Sequence, residues 1–185
     1  MELLFCYLGL IDTEDDRLTF LHIYRKYGKQ MYHIANGILK KHEAAEDAVQ
    51  NAFMGIAASI DRVPACSEAA IKSYALTAAR NAALAVQTEE QMWDEYLDID
   101  KLDLCSHTDT FRTILISQDH DLLLKLMDSL PLPYREVLFM RYVLELKPQE
   151  ISDILHRKPS TVHQQIYRGK QALVTLFARE VTSNA

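Results

Sequence analysis

The chain has 185 residues, 49% of them hydrophobic and 25% charged, with a net charge of −6. That length suits one domain or two small ones, and the negative balance argues against a protein that coats nucleic acid indiscriminately. Cys6, Cys66 and Cys105 are odd in number, far apart and without zinc-ligand spacing, which fits reduced thiols in a cytosolic protein.

In chain order, Leu3 to Ile11 is apolar apart from Gly9. The run is too short to span a bilayer and follows Glu2 rather than a basic segment, so it is expected to dock onto the first domain and not to act as a signal or a membrane insertion. Phe20, Tyr24, Tyr27, Met31, Ile34 and Ile38 then step by four and three. This spacing predicts a long amphipathic helix from about Glu14 to Lys40, with Arg25, Lys26, Lys29 and His33 outward. Asn36-Gly37 weakens its end.

A second helix is predicted from about Ala44 to Ile60, with Ala45, Val49, Ala52, Ile56 and Ile60 inward. A loop closed by Pro64 follows, and Ser67 is placed to cap a third, alanine-rich helix over about Glu68 to Gln87. Its small side chains permit close packing on the first two. Strand signals are nearly absent, so the chain reads as all-α. From Glu89 to Asp109 the carboxylates Glu89, Glu90, Asp94, Glu95, Asp98, Asp100, Asp103 and Asp109 face a single Lys101. This stretch, punctuated by Trp93, Tyr96 and Leu97, reads as an acidic linker. The expected division is a first domain over 1–87, a linker over 88–115 and a second domain over 116–185.

The second domain is predicted to open with a helix around Asp119–Ser129. Leu130 to Phe177 then carries short helices separated by proline-bearing turns. Pro148 suits the first turn of a bracing helix over about Gln149–Leu155. His156-Arg157-Lys158-Pro159 breaks it, and Ser160 or Thr161 can cap the next helix. There Val162, Ile166, Gly169, Leu173 and Leu176 form the inward face, with Gly169 marking close helix packing. His163, Gln164, Tyr167, Arg168, Lys170 and Gln171 are left for the other faces. Between Asp153 and Glu180 there is no carboxylate. A brace, a turn and a polar, cationic helix are the layout of a helix-turn-helix DNA reader, whose affinity rests largely on phosphate contacts.

Enzyme signatures are missing. The five glycines form no phosphate-cradling loop, no nucleophile motif is present, and Glu46-Asp47 reads as helix surface. No cofactor or metal is expected.

The segments Ala45-Glu46-Asp47-Ala48-Val49-Gln50-Asn51-Ala52-Phe53 and Leu130-Pro131-Leu132-Pro133-Tyr134-Arg135-Glu136-Val137-Leu138 resemble the bacterial sigma-70 family of RNA polymerase sigma factors, of the compact extracytoplasmic function (ECF) kind. Glu150-Ile151-Ser152, Thr161-Val162, Tyr167-Arg168 and Arg80-Asn81 add to the resemblance. It covers about 17–87 and 119–178 and implies two helical domains and a non-enzymatic, promoter-specific initiation factor whose partners are core RNA polymerase, promoter DNA and an anti-sigma factor. The first domain would dock on the polymerase clamp through Asp47, Gln50 and Phe53. It would engage the −10 element through Arg62, Ser67, Lys72 and Arg80. The second would read the −35 element through Ser160, Thr161, His163, Gln164, Tyr167, Arg168 and Lys170, and bind the polymerase flap.

The chain departs from the family pattern in three places. Tyr74 stands where a tryptophan is usual. Asn81 is followed by Ala82-Ala83-Leu84-Ala85-Val86-Gln87 instead of a basic cluster. His156 replaces the usual glycine before the recognition helix. Two other readings stay open: a stand-alone helix-turn-helix regulator, and a sigma-like protein that occupies polymerase without melting promoters.

Overall fold

The computed structural model describes residues 2–64, 67–87, 111 and 120–183. The described residues are helical apart from turns, and the chain divides into two compact units, the first covering Met1–Met92 with Asp153–Leu155 and the second the remainder. The acidic stretch and the expected domain start near Ile116 lie outside the described residues.

The first unit contains α1 (Glu2–Leu8), α2 (Glu14–Leu39), α3 (His42–Ala58), a 3-10 turn over Ile60–Arg62, and α4 (Glu68–Val86). Thr13 starts α2: its hydroxyl oxygen accepts from the Asp16 N–H at 3.2 Å. Glu14, Asp15 and Asp16 occupy the first turn, where the helix dipole favours negative charge. The helix stops at Lys40, which takes the left-handed conformation at φ 55° and donates its N–H to the Asn36 carbonyl. Ser67 caps α4 by accepting from the Ala70 N–H at 3.2 Å, as expected from the sequence.

α2, α3 and α4 pack around Ile23, Met31, Ile34, Ala45, Ala52, Ile56, Leu76 and Ala79, all buried. The alanines Ala75, Ala79 and Ala83 form the inner face of α4, so the helices can approach closely. At one end Tyr7, Phe20, Tyr24 and Phe53 form an aromatic cluster; the closest pair, Tyr24 and Phe53, has centroids 4.9 Å apart. Tyr7 and Ile11 are buried, so the N-terminal segment docks onto its own domain. Ile60, expected inward, is only half-buried because α3 stops at Ala58 and gives way to the tighter turn.

The second unit contains α5 (His120–Asp128), α6 (Leu132–Tyr142), α7 (Pro148–Leu155) and α8 (Pro159–Ser183). Arg135 is buried and its Nη1 donates to the Asp128 carbonyl at 3.2 Å, closing the end of α5. Glu150 reaches back to accept the Lys147 N–H at 2.8 Å and so fixes the start of α7. At its other end His156 is left-handed, at φ 52°. The Arg157 N–H bonds the Ser152 carbonyl at 3.1 Å, and the Ser152 hydroxyl donates to the Arg157 carbonyl. Glycine takes such a conformation without a Cβ penalty, which explains why glycine is usual where this chain has His156.

The expectation that Ser160 or Thr161 caps α8 is corrected. The helix starts at Pro159, with the Lys158 carbonyl accepting from the Val162 N–H at 3.1 Å. Proline has no N–H to leave unsatisfied and its φ is already helical, so it fills the first position. Ser160 and Thr161 are thereby drawn inside the first turn.

Gly169 sits directly on α6. A Cβ placed there would lie 2.9 Å from Leu138 Cδ1 and 3.1 Å from its Cγ, and Leu138 is fully buried. Gly169→Ala should gain up to about 1 kcal/mol of helix propensity but lose about 1–3 kcal/mol to overpacking. A net loss of about 1 kcal/mol is expected in urea unfolding. In a Leu138→Ala background the same substitution should become stabilising. Equal effects in both backgrounds would show that the two residues do not compete for space.

Candidate nucleic-acid interface

At about 100° per residue, Ser160, Gln164, Tyr167 and Gln171 share one face of α8. His163 and Lys170 lie to one side of it, Thr161 and Arg168 to the other. Ser160, Thr161, His163, Gln164 and Tyr167 are exposed, Tyr167 to 56%, whereas Arg168 and Lys170 are half-buried. Val162 and Gly169, on the opposite side, are buried. A polar ridge therefore projects from the N-terminal half of the helix. Beyond it Ala172, Leu173, Val174 and Thr175 are all buried, so the ridge ends within about three turns of the helix start.

Local bonds order this ridge. The His163 ring is within 2.8 Å of the Pro159 carbonyl through Nδ1, which donates in the tautomer carrying its proton there. The Gln171 amide donates to the Tyr167 hydroxyl oxygen at 3.0 Å. That leaves the tyrosine proton free to be given to an acceptor outside the helix. Gln171 was absent from the set implied by resemblance; its position one turn after Tyr167 is the signal that could have found it. Lys170 does not project with the others: its ammonium lies 4.9 Å from the centroid of Phe111, a buried ring packed 5.1 Å from Tyr142. Arg157, one of the cations that makes this segment basic in sequence, is committed to Glu136 at 2.9 Å, with further bonds to Gln165 and the Pro133 carbonyl.

In the first unit Asp47 and Gln50 are exposed on α3. Glu43 and Met54 fall on the same stripe by helical spacing, and Met54 is 46% exposed, an apolar element that periodicity alone did not flag. Phe53 is different. It is buried among Tyr7, Phe20 and Tyr24, because it lies on the inward side of α3 with Val49 and Ile56. It supports that face from within and does not form part of it.

On the −10 side, Arg62 is exposed in the 3-10 turn, Ser67 is the cap of α4, and Lys72 is half-buried one turn further on. Arg80 is half-buried two turns beyond Lys72, about 12 Å along the axis, so the four residues do not converge. Glu68, which sequence reading missed, joins three side chains of α2 here. Its carboxylate takes Lys26 Nζ at 2.7 Å, His22 Nε2 at 2.9 Å and the Tyr27 hydroxyl. These donors, Lys26 first, then Tyr27 and His22, hold its carboxyl down to about 2. Burial, reinforced by Glu68, pushes the Tyr27 hydroxyl well up. The cluster ties the first turn of α4 to α2.

Among the described residues no group of His, Cys, Asp and Glu is arranged to hold a metal ion, and no helix is long and apolar enough to cross a membrane.

Two helical regions in this order, the second closing on a helix with a polar ridge and a glycine contact, are matched in turn by the two regions of one family of transcription-initiation factors, and the chain belongs to it: the sigma-70 family, ECF type. Residues 23–86 match the family described as Sigma-70 region 2, and residues 120–173 match Sigma-70, region 4. Among individual proteins, the chain is 25% identical over 173 residues to the ECF RNA polymerase sigma factor SigM of Bacillus subtilis (strain 168), covering 89% of this chain and 98% of that protein. It shares the fold of the sigma factor RpoE of Bartonella quintana, solved in complex with the anti-sigma factor NepR. There the TM-score is 0.62 and the identity 18%, covering 86% of this chain and 96% of that one. Members of this family act in transcription initiation and are not enzymes.

The Glu68 cluster has a pH signature. A carboxyl held at about 2 when folded and near 4.3 when unfolded contributes stability that is fully present above the unfolded value. That stability is lost as pH falls through the folded one. Glu68→Gln should therefore lower the melting temperature at neutral pH, and the gap to the parent should close as pH falls from about 5 toward about 2. A gap that does not change with pH would remove the ionic account.

Proposed function

We propose that the protein binds core RNA polymerase and directs it to a defined class of promoters, with domain limits of 1–87, 88–115 and 116–185. The exposed stripe of Asp47, Gln50 and Met54 on α3 meets the polymerase clamp. Arg62, Ser67, Lys72 and Arg80 face the −10 element. The ridge of Ser160, Gln164, Tyr167 and Gln171, flanked by Thr161, His163 and Arg168, enters the major groove at the −35 element, while the rest of the second unit meets the polymerase flap. Lys170 supports the ridge from its seat on Phe111. The reading places the protein in the cytoplasm, and an anti-sigma factor that covers either surface is the regulatory partner it calls for.

The observation that carries this reading is the pairing, in order, of a region with an exposed stripe on α3 and a region whose last helix carries an outward polar ridge on its acid-free N-terminal half. A stand-alone regulator needs only the second. Run-off transcription with purified core polymerase on the upstream region of the protein's own gene tests it directly. A discrete transcript that requires the protein is expected; none on any natural promoter fragment would overturn the reading. The sigma-like protein that occupies polymerase without melting DNA gains from the missing basic cluster after Asn81. It would bind core yet yield transcript only from pre-melted templates.

Two substitutions separate the surfaces. Asp47→Arg should abolish co-purification with core polymerase while leaving the melting temperature nearly unchanged, since exposed positions contribute little to stability. A folded variant that still binds core would remove α3 from the interface. Gln164→Ala should leave core binding intact and weaken promoter binding by about 1–3 kcal/mol, with relaxed preference at one position, because a glutamine amide pairs with adenine N6 and N7. An even loss across all sequences would mean that Gln164 touches phosphate instead.

A further inference from the structure

One long acid-free stretch of the chain has no place in that assignment. Between Asp16 and Glu43 there is no carboxylate, and nearly all of this stretch is α2. His22, Lys26, Lys29, His33, Asn36 and Lys40 recur at steps of four and three, with Arg25 beside them, so they form one stripe. The stripe lies opposite the face that buries Phe20, Ile23, Tyr27, Met31, Ile34 and Ile38. Arg25, Lys26 and Lys29 are exposed and His33 is half-buried. Neighbouring cations are close enough to be felt: burial and the charge of Lys29 lower the His33 pKa. The outer surface of α3 carries the opposite sign, with Glu43, Glu46 and Asp47 exposed.

We propose that this stripe on α2, with Arg25 and Lys29 at its centre, is a track for the phosphate backbone of promoter DNA on the −10 side. The inference rests on the promoter-binding reading above. A row of cations without acids recognises a polyanion and carries no base information. Two observations choose DNA as the polyanion. Lys26 reaches Glu68 in the first turn of α4, so the stripe runs up to the residues that flank the −10 side, Ser67 and Lys72. And α4 offers only Lys72 and Arg80, with no basic cluster after Asn81, so further phosphate neutralisation for this region falls to the rest of the unit. His22 and Lys26 are held by Glu68 and set the edge of the track; Arg25 and Lys29 carry it.

The test uses holoenzyme assembled from core polymerase and either the parent chain or Arg25→Gln/Lys29→Gln, with promoter affinity measured against KCl concentration. Each lost phosphate contact flattens the slope of log affinity against log salt by about 0.7 for single strands to about 0.9 for duplex. The double variant should thus lose about 1.4–1.8 from the slope and on the order of tenfold in affinity at about 0.1 M salt, equally on consensus and altered −35 sequences. Core binding and melting temperature should be unchanged. An unchanged slope, with parent holoenzyme still selecting its promoter, overturns the track alone. Loss of core binding would also overturn it and assign the stripe to polymerase. Should parent holoenzyme select no promoter, the underlying functional reading fails instead. If the double variant does not fold, Lys29→Gln alone, expected to show half the slope change, decides the matter.

Discussion

The polar ridge of the second unit depends on how closely α8 can approach α6. Gly169 sets that distance, since any side chain there would run into Leu138. The approach fixes the rotation of α8 about its axis, and the rotation decides which residues form the outward ridge. A helix lifted by the thickness of a methyl group could turn, and a turn of one residue, about 100°, would carry Tyr167 off the ridge. The pair Glu136–Arg157 secures the same arrangement from the other end of the turn. Glu136 is buried, and Arg157 reaches it from just beyond α7. Desolvating such a pair costs much of what its attraction returns, while removing one partner leaves a buried charge at a cost of about 3–5 kcal/mol. Its consequence here is geometric: α6, the turn and α8 are held in one relation.

The first unit solves a related problem with charge. Three helices pack through alanine and aliphatic side chains that specify contact but hardly direction. Glu68 adds direction, because a carboxylate with donors from His22, Lys26 and Tyr27 fits only one placement of α4 on α2. The cluster also pairs the one carboxylate in the first turn of α4. Acidic side chains remain on the outer surface of α3 and cationic ones on α2, so a single small bundle presents faces of opposite sign.

Helix positions were legible in the sequence because the apolar spacing of Phe20 through Ile38 and the cap at Ser67 are local signals, and local signals survive folding. The start of α8 was read late because two principles competed at adjacent residues: proline at the first helical position and serine or threonine as cap. Proline prevailed. Site residues fared less evenly for a physical reason. Motif resemblance names positions but not faces, so Phe53 and Lys170 were grouped with neighbours that turn outward, while one packs in an aromatic cluster and the other sits on Phe111. Arg157 counted as a cation in the sequence, yet in the fold its charge is spent on Glu136. Glu68 could not be found from spacing at all, since its partners lie more than forty positions away in the chain.

Charge that is counted differs from charge that is placed, and for a DNA-binding protein the second matters. With a Debye length of about 8 Å at physiological ionic strength, a phosphate at the surface responds to side chains within one or two turns of a helix and hardly to the rest of the molecule. A net charge of −6 is therefore compatible with tight DNA contact wherever cations are gathered and acids kept away, as between Asp16 and Glu43 and between Asp153 and Glu180. These two stretches differ in kind. On α8 the exposed ridge is mostly uncharged and hydrogen-bonding, which suits the reading of base edges. On α2 the stripe is cationic and carries little that could distinguish one base from another, which suits holding a backbone. On the reading proposed above, such a factor would divide the work between its units, one selecting the sequence and the other supplying much of the salt-sensitive grip.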